Sequence, residues 1–294
     1  MKRLLLLAFC LVSQVLHAGE KLPQSVTFKN KPAFDALVAT AMKENWRALP
    51  MGQRVATFGH AMLGTQYVGY TLEIDDHIES ASCNFSGLDC WTFFETALGL
   101  ARMIETPKPA YTPSDLLKEI ETTRYWGGEC TGRYLERIHY LVSWFNDNEK
   151  RSNVVNVTKS VGPTVKLTDR KCQEMTVLWK SYRYLRNDPS LLPEMGRIEA
   201  KESALTVPYI PKDKVKNIEK NIQTGDIIGI VTNQTGGHCS HVGLAYRTKD
   251  GVCHFMHASS RKKKVILDAP ISEYLASIRN DAGIIVGRPL GKKG

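Results

Sequence analysis

SHVGLAYRTKDGVCHFMHAS, residues 240 to 259, is the stretch whose reading decides the fold. Two runs rich in Val, Leu, Tyr and Phe flank Lys249-Asp250-Gly251, a hairpin signal in which glycine supplies the left-handed conformation. With Gly251 in that role, Thr248 closes against Val252. His241 then stands opposite Ser259 and diagonal to His257, and the period-two alternation of a strand puts both imidazoles on one face. A diagonal pair lies about 7–8 Å apart by backbone, within reach of long side chains. That is the spacing of a general base and the group that orients it.

Working outward, Asp226–Val231, Lys264–Leu267 and Gly283–Val286 read as further strands, with one helix, Ile271–Ile278, among them. Upstream the texture is helical. Phe34 to Leu63 carries apolar residues at helical spacing, and a second helix is expected from Cys90 to Glu105 on the stripe Phe94, Ala97, Leu98, Ala101 and Ile104. Helices first and an antiparallel sheet afterwards give an α+β class. The middle, Thr106 to about Lys214, is mixed: helices at Leu135–Asn148 and Gln173–Arg186, a β-like stretch at Val154–Val157, and Pro208–Pro211 as an extended linker.

Cys90 falls in the first turn of the second helix, with Asp89 placed to cap it. A helix N-terminus favours the thiolate, the species that attacks, while Asp89 works against it, so a histidine partner is required. This makes Cys90 the expected nucleophile, His241 the base and His257 its orienting group. The rival is zinc, because His238, Cys239, His241, Cys253, His254 and His257 crowd two segments. Tetrahedral zinc needs four ligands converging at about 2.0–2.3 Å. Cys239 and Cys253 would stand more than about 20 Å apart along the hairpin at about 3.3 Å per residue. Only a three-ligand set of His238, His241 and His257 remains, and neither metal nor cofactor is expected.

The chain has 294 residues and a net charge of +9, enough for one large domain with a buried interior. Its basic residues are scattered, with Arg261 to Lys264 the densest run. That argues against nucleic acid and suits a substrate carrying carboxylates, such as a cell-wall peptide. Lys2 and Arg3, the apolar run Leu4–Val15 and Ala18 form a secretory signal peptide over residues 1–18, too short to be a membrane anchor. A periplasmic or secreted protein is therefore expected. Six cysteines follow: Cys83, Cys90, Cys130, Cys172, Cys239 and Cys253. In an exported protein they suggest disulfides, whose pairing spacing cannot give, and a free Cys90 leaves an odd number.

Gly87-Leu88-Asp89-Cys90, Gly225-Asp226, Ser240-His241-Val242-Gly243 and Met256-His257-Ala258-Ser259, in that order, resemble the NlpC-type papain-like superfamily of cell-wall hydrolases. Leu63-Gly64-Thr65-Gln66-Tyr67, Asp89–Glu95, Arg137-Ile138-His139-Tyr140 and Tyr209-Ile210-Pro211-Lys212 are similar to its branch of N-acetylmuramoyl-L-alanine amidases. The resemblance implies a Cys90, His241, His257 triad and a pocket lined by Tyr67, Asp89 and Ser240, with the Tyr67 hydroxyl near the oxyanion. Gln66 and Trp91 depart from the branch, and Trp91 bears on the pocket mouth.

The expectation is then a papain-like core of about 28–105 and 215–294 within one catalytic domain, residues 19–294. An insertion of about 106–214 walls the groove and carries Arg124, Arg137, His139 and Tyr140 for sugar hydroxyls or peptide carboxylates. The expected partners are peptidoglycan fragments, above all anhydro-muropeptides, acted on by a monomer. An endopeptidase cutting γ-D-glutamyl-diaminopimelate bonds would share the triad, and a non-catalytic muropeptide-binding protein would keep the pocket without needing the thiol.

Overall fold

The computed structural model describes residues 21–292, and the expected signal peptide lies outside them. The single helix read over Phe34 to Leu63 is two, α1 (Lys31–Lys43) and α2 (Met51–Ala61). Asn45 between them is left-handed, at φ 54°. Pro50 stands at the N-cap of α2, where a missing N–H costs nothing but the preceding helix cannot continue. The chain then enters α3 (Cys90–Met103), buried from Thr92 through Met103. A helix apolar on nearly all sides belongs in the interior. The two charged residues on it are paired: Glu95 with Arg124 at 2.8 Å and Arg102 with Glu119 at 3.1 Å, both partners from α4 (Pro113–Arg124).

The middle segment is more broken than its periodicity implies. Leu135 lies in a single 3₁₀ turn, Tyr134–Glu136, and α5 runs over Leu141–Lys150. The helix expected at Gln173–Arg186 is three short pieces, Glu174–Val177, Trp179–Ser181 and Arg183–Asn187. Strands β1 (Val154–Asn156) and β2 (Val165–Leu167), helix α6 (Leu192–Ser203) and strand β3 (Val207–Pro211) complete it. Strand β3 corrects the linker reading of Pro208–Pro211. Prolines argue against an interior strand because they cannot donate to a ladder. Here the pairing is short, with Ile210 opposite Ile284 on one side and Tyr209 opposite Val165 on the other.

The carboxyl-terminal part supplies β4 (Ile227–Thr232), β5 (Cys239–Arg247), β6 (Cys253–Ser259), β7 (Lys264–Pro270), α7 (Ile271–Ala276) and β8 (Asp281–Pro289). The main sheet runs β2-β3-β8-β4-β5-β6-β7, with β1 also on β8 and every neighbouring pair antiparallel. The expected hairpin register holds: Arg247 faces Cys253, Thr248 N donates to Val252 O at 3.0 Å, and Gly251 has φ 85°. Helix α3 packs on β5 and β6. None of the six cysteines is bridged. Cys83, Cys130, Cys172 and Cys253 are buried as thiols, so the disulfides suggested by their number do not form.

The Gly225-Asp226 pair marks where the helical layer meets the sheet. Gly225 has φ 87°, and a Cβ there would stand 1.9 Å from the Gly52 carbonyl oxygen. Asp226 is buried and accepts two bonds from Arg288 at 2.8 Å, tying the start of β4 to the end of β8. Substituting Gly225 with alanine therefore imposes both a left-handed conformation and a backbone collision. We expect Gly225→Ala to lower stability by about 3 kcal/mol or more, among the largest single-site effects. Denaturant unfolding of the purified protein measures it, and a loss below about 1 kcal/mol would show that α2 is free to move away.

Candidate active site

Asp89 starts α3 by a reciprocal cap. Its carboxylate accepts from the Thr92 amide at 2.8 Å, and the Asp89 amide donates to the Thr92 hydroxyl at 2.9 Å. Its second oxygen accepts from the Thr71 hydroxyl at 3.1 Å. The first turn so fixed carries Cys90, whose sulfur lies at the backbone amides of Val242, Trp91 and Cys90 itself. Val242 follows His241 on β5, so contact between the helix start and that strand sets the thiol beside the imidazole-bearing residue. Cys90 and His241 line one cavity of about 460 Å³.

Behind His241 the expected partner is in place. His241 Nε2 lies 2.6 Å from His257 Nδ1, with the rings edge to face and their centres 4.7 Å apart. A further group went unread in the sequence: His257 Nε2 is 3.1 Å from Asp268 Oδ2 on β7. Ile266 pairs with His257, so Asp268 is its diagonal neighbour, and a register shift follows between His254 and Met256. The sequence reading stops this strand at Leu267, one residue short of Asp268, and aspartate is a residue type disfavoured in strands. Tyr274 of α7 closes over the pair, its ring centre 5.2 Å from that of His257.

The hydrogen bonds order the protons. The Asp268 carboxylate accepts from His257 Nε2–H; His257 Nδ1 then accepts from His241 Nε2–H; Nδ1 of His241 is left with its lone pair. Burial, together with the neighbouring His257, pulls His241 down to about 3, so it rests neutral. His257 is also lowered, by burial, with Asp268 opposing. Burial pushes the Cys90 thiol up to about 12, and Asp89 adds to this. The helix start thus does not produce the thiolate that its position suggested. The pair at rest is thiol and imidazole, because a crowded, poorly solvated sulfur carries charge badly.

The cavity also gathers most of the residues read as pocket lining: Tyr67, Asp89, Ser240, Arg137, His139 and Tyr140, with Trp91 at its wall. Their polar groups are largely engaged already. Arg137 is buried between Glu73 and Glu79 and donates to the Leu72 carbonyl at 3.0 Å. The Tyr140 hydroxyl donates to Glu199 at 2.7 Å. His139, held neutral by burial and by Arg137, lies against the Tyr134 ring. Tyr67 is raised to about 12, first by burial, and keeps its proton. Arg124 is a correction. It lies away from this lining, fully buried, donating to Glu95 and to the Ser82 carbonyl, because α4 packs its end under α3.

Among the described residues no cluster of three His, Cys, Asp or Glu side chains is arranged to hold a metal ion, and no helix is long and apolar enough to cross a membrane. Comparison with curated proteins finds no match. Among solved structures, an N-acetylmuramoyl-L-alanine amidase from Bacteroides uniformis is similar, at 31% identity and a TM-score of 0.72 over 83% of this chain and 99% of that one. A Bacteroides fragilis protein, provisionally named a xylanase, is 32% identical with a TM-score of 0.70 over 78% and 98%. A Legionella pneumophila protein shares the fold at 22% identity and a TM-score of 0.65 over 90% and 96%. The AmiA-like family, described as N-acetylmuramoyl-L-alanine amidase-like, matches residues 57–284. With that match spanning both the helix that bears Cys90 and the strands that bear the two histidines, the chain belongs to the N-acetylmuramoyl-L-alanine amidase-like family.

Proposed function

We propose that the protein is a peptidoglycan amidase that hydrolyses the amide between N-acetylmuramic acid and L-alanine, with Cys90 as nucleophile. The observation that carries this reading is the hydrogen-bonded line His241–His257–Asp268, set beside a cavity-lining thiol in a chain of this family. Because both partners rest neutral, the Cys90 proton passes to His241 Nδ1 as the sulfur attacks the carbonyl carbon. The amides already at the sulfur, with the Tyr67 hydroxyl in the same cavity, are the donors this reading assigns to the developing oxyanion. His241 then protonates the leaving L-alanine nitrogen, leaving a muramoyl thioester. Water, deprotonated by His241, releases the lactyl carboxylate and restores the thiol.

Three finer readings belong with this. The order of helix-borne cysteine followed by strand-borne histidines supports a papain-like core of the NlpC type. Tyr134, Tyr140, Glu174 and Tyr182 of the middle segment stand in the cavity wall, which supports reading about 106–214 as an insertion limiting access to short muropeptides, including anhydro-muropeptides. A substrate outside the cytoplasm fits the signal peptide read at residues 1–18 and a periplasmic monomer.

Product analysis tests the bond. From an anhydro-disaccharide-tetrapeptide the enzyme should free intact tetrapeptide, and Cys90→Ala should free none. Mass spectrometry that instead found L-Ala–D-Glu, alone or still on the sugar, would move the assignment to the endopeptidase reading.

The proton order makes a second prediction. In Asp268→Asn an amide N–H would donate to His257 Nε2, driving its proton to Nδ1, so that His241 presents an N–H to the thiol. Turnover should fall about 10³–10⁴-fold with the fold intact. Retention of more than a tenth of the rate would remove Asp268 from the mechanism.

The third concerns pH. A thiol raised above its ordinary value and an imidazole lowered below its own form no ion pair in the neutral range. Inactivation by iodoacetamide should therefore climb about tenfold per pH unit from 6 to 9, following the thiolate fraction. A flat rate across pH 5 to 8 would reveal a preformed thiolate–imidazolium pair.

A further inference from the structure

Two cavities meet at Ser240 and His241. The first holds Cys90. The second, of about 640 Å³, takes in His257, Arg261, Lys262, Tyr274 and Asp281 but not Cys90. They differ in their free cations. The first presents Glu73, Asp89, Glu174 and Glu202, and its one arginine, Arg137, is held by Glu73, Glu79 and a carbonyl.

In the second, Arg261 and Lys262 are exposed, and among the described residues neither side chain has an ion pair or hydrogen bond. Three acids line it too: Asp268 is bonded to His257, while Glu273, in the first turn of α7, is exposed. Asp281 is buried, and its Oδ2 has no partner. A buried carboxylate oxygen left without a donor is costly unless something binds there.

Mechanism assigns the two sides. The acyl group stays on Cys90 and so occupies the first cavity. The leaving nitrogen must take its proton from His241, and everything attached to it departs on the histidine side. We propose that the second cavity is the leaving-peptide subsite: Arg261, assisted by Lys262, binds carboxylates of the stem peptide, and Asp281 Oδ2 accepts one of its backbone N–H groups. This rests on the amidase reading. It also fits the first cavity, where carboxylates and the rings of Tyr134, Tyr140 and Tyr182 suit a neutral sugar, its hydroxyls donating and its apolar face stacking.

The test uses the full chain carrying Arg261→Gln and Lys262→Gln together, both at exposed positions. Substrates are an anhydro-disaccharide-tetrapeptide and the same compound with its peptide carboxylates amidated. The variant should raise KM for the acidic substrate about tenfold or more, since charge-assisted bonds are the strong ones. Its kcat should change little, and its KM for the amidated substrate should stay near that of the unaltered enzyme. Calorimetric binding of free tetrapeptide to a Cys90→Ala chain should weaken by a similar factor on adding the two changes. Unchanged KM and unchanged peptide binding, with tetrapeptide still released, would overturn the subsite alone. If the unaltered enzyme released no tetrapeptide, the amidase reading would fail and the subsite with it.

Discussion

The start of α3 is pressed against β5, and what the site can do depends on that contact. A helix begins with amides that have no partner within it. Asp89 and Thr92 bond reciprocally to satisfy two of these groups, and the sulfur of Cys90 lies at the Cys90 and Trp91 amides of the helix start and at the Val242 amide of the strand. The same contact brings the two halves of the proposed chemistry together, since Cys90 and His241 are 151 positions apart in the chain. Gly243 permits it: a Cβ there would stand 2.6 Å from the Met256 carbonyl oxygen and 2.7 Å from the Phe255 ring. The glycine of the His-Val-Gly run thus lets the hairpin strands lie close enough for their histidines to bond.

From that contact the proton order follows without ionising anything. A buried or half-buried imidazole packed away from water resists charge, and so does a crowded thiol. A carboxylate two bonds away, partly open to solvent, can still fix which nitrogen of each ring carries the proton. Asp268 does this at little cost, because its other oxygen accepts from the Ala269 amide at 2.8 Å. The site therefore stores direction rather than charge, and on the proposed mechanism the energetic demand would fall on the moment of attack, when the amides around the sulfur would donate to an oxyanion.

How much of this could be read beforehand depended on range. The hairpin was legible because its turn chemistry is local: Asp250-Gly251 fixed the loop, the loop fixed the register, and the register put His241 and His257 on one face. Cys90 was legible because capping and helical periodicity are local too. Asp268 was not, since an aspartate next to a bulge looks like the end of a strand. Arg124 was misread for the opposite reason. A guanidinium in a segment expected to wall a groove looks available, and only the packing of α4 under α3 shows it bound to Glu95. The middle segment yielded least, because its short helices and the proline-bearing strand β3 are held by tertiary pairing against weak local preference. The cysteine count misled as well, since buried thiols behave as small apolar groups wherever the core has room for them.

The central claim is that a carboxylate sets the tautomers of two neutral imidazoles so that one lone pair faces the thiol. Nitrogen-15 NMR of the histidine rings, assigned with His241 and His257 variants, reads it directly at neutral pH. The account predicts both rings neutral, with the proton on Nε2 of His241 and on Nε2 of His257. A doubly protonated His241, or one carrying its proton on Nδ1, would contradict it.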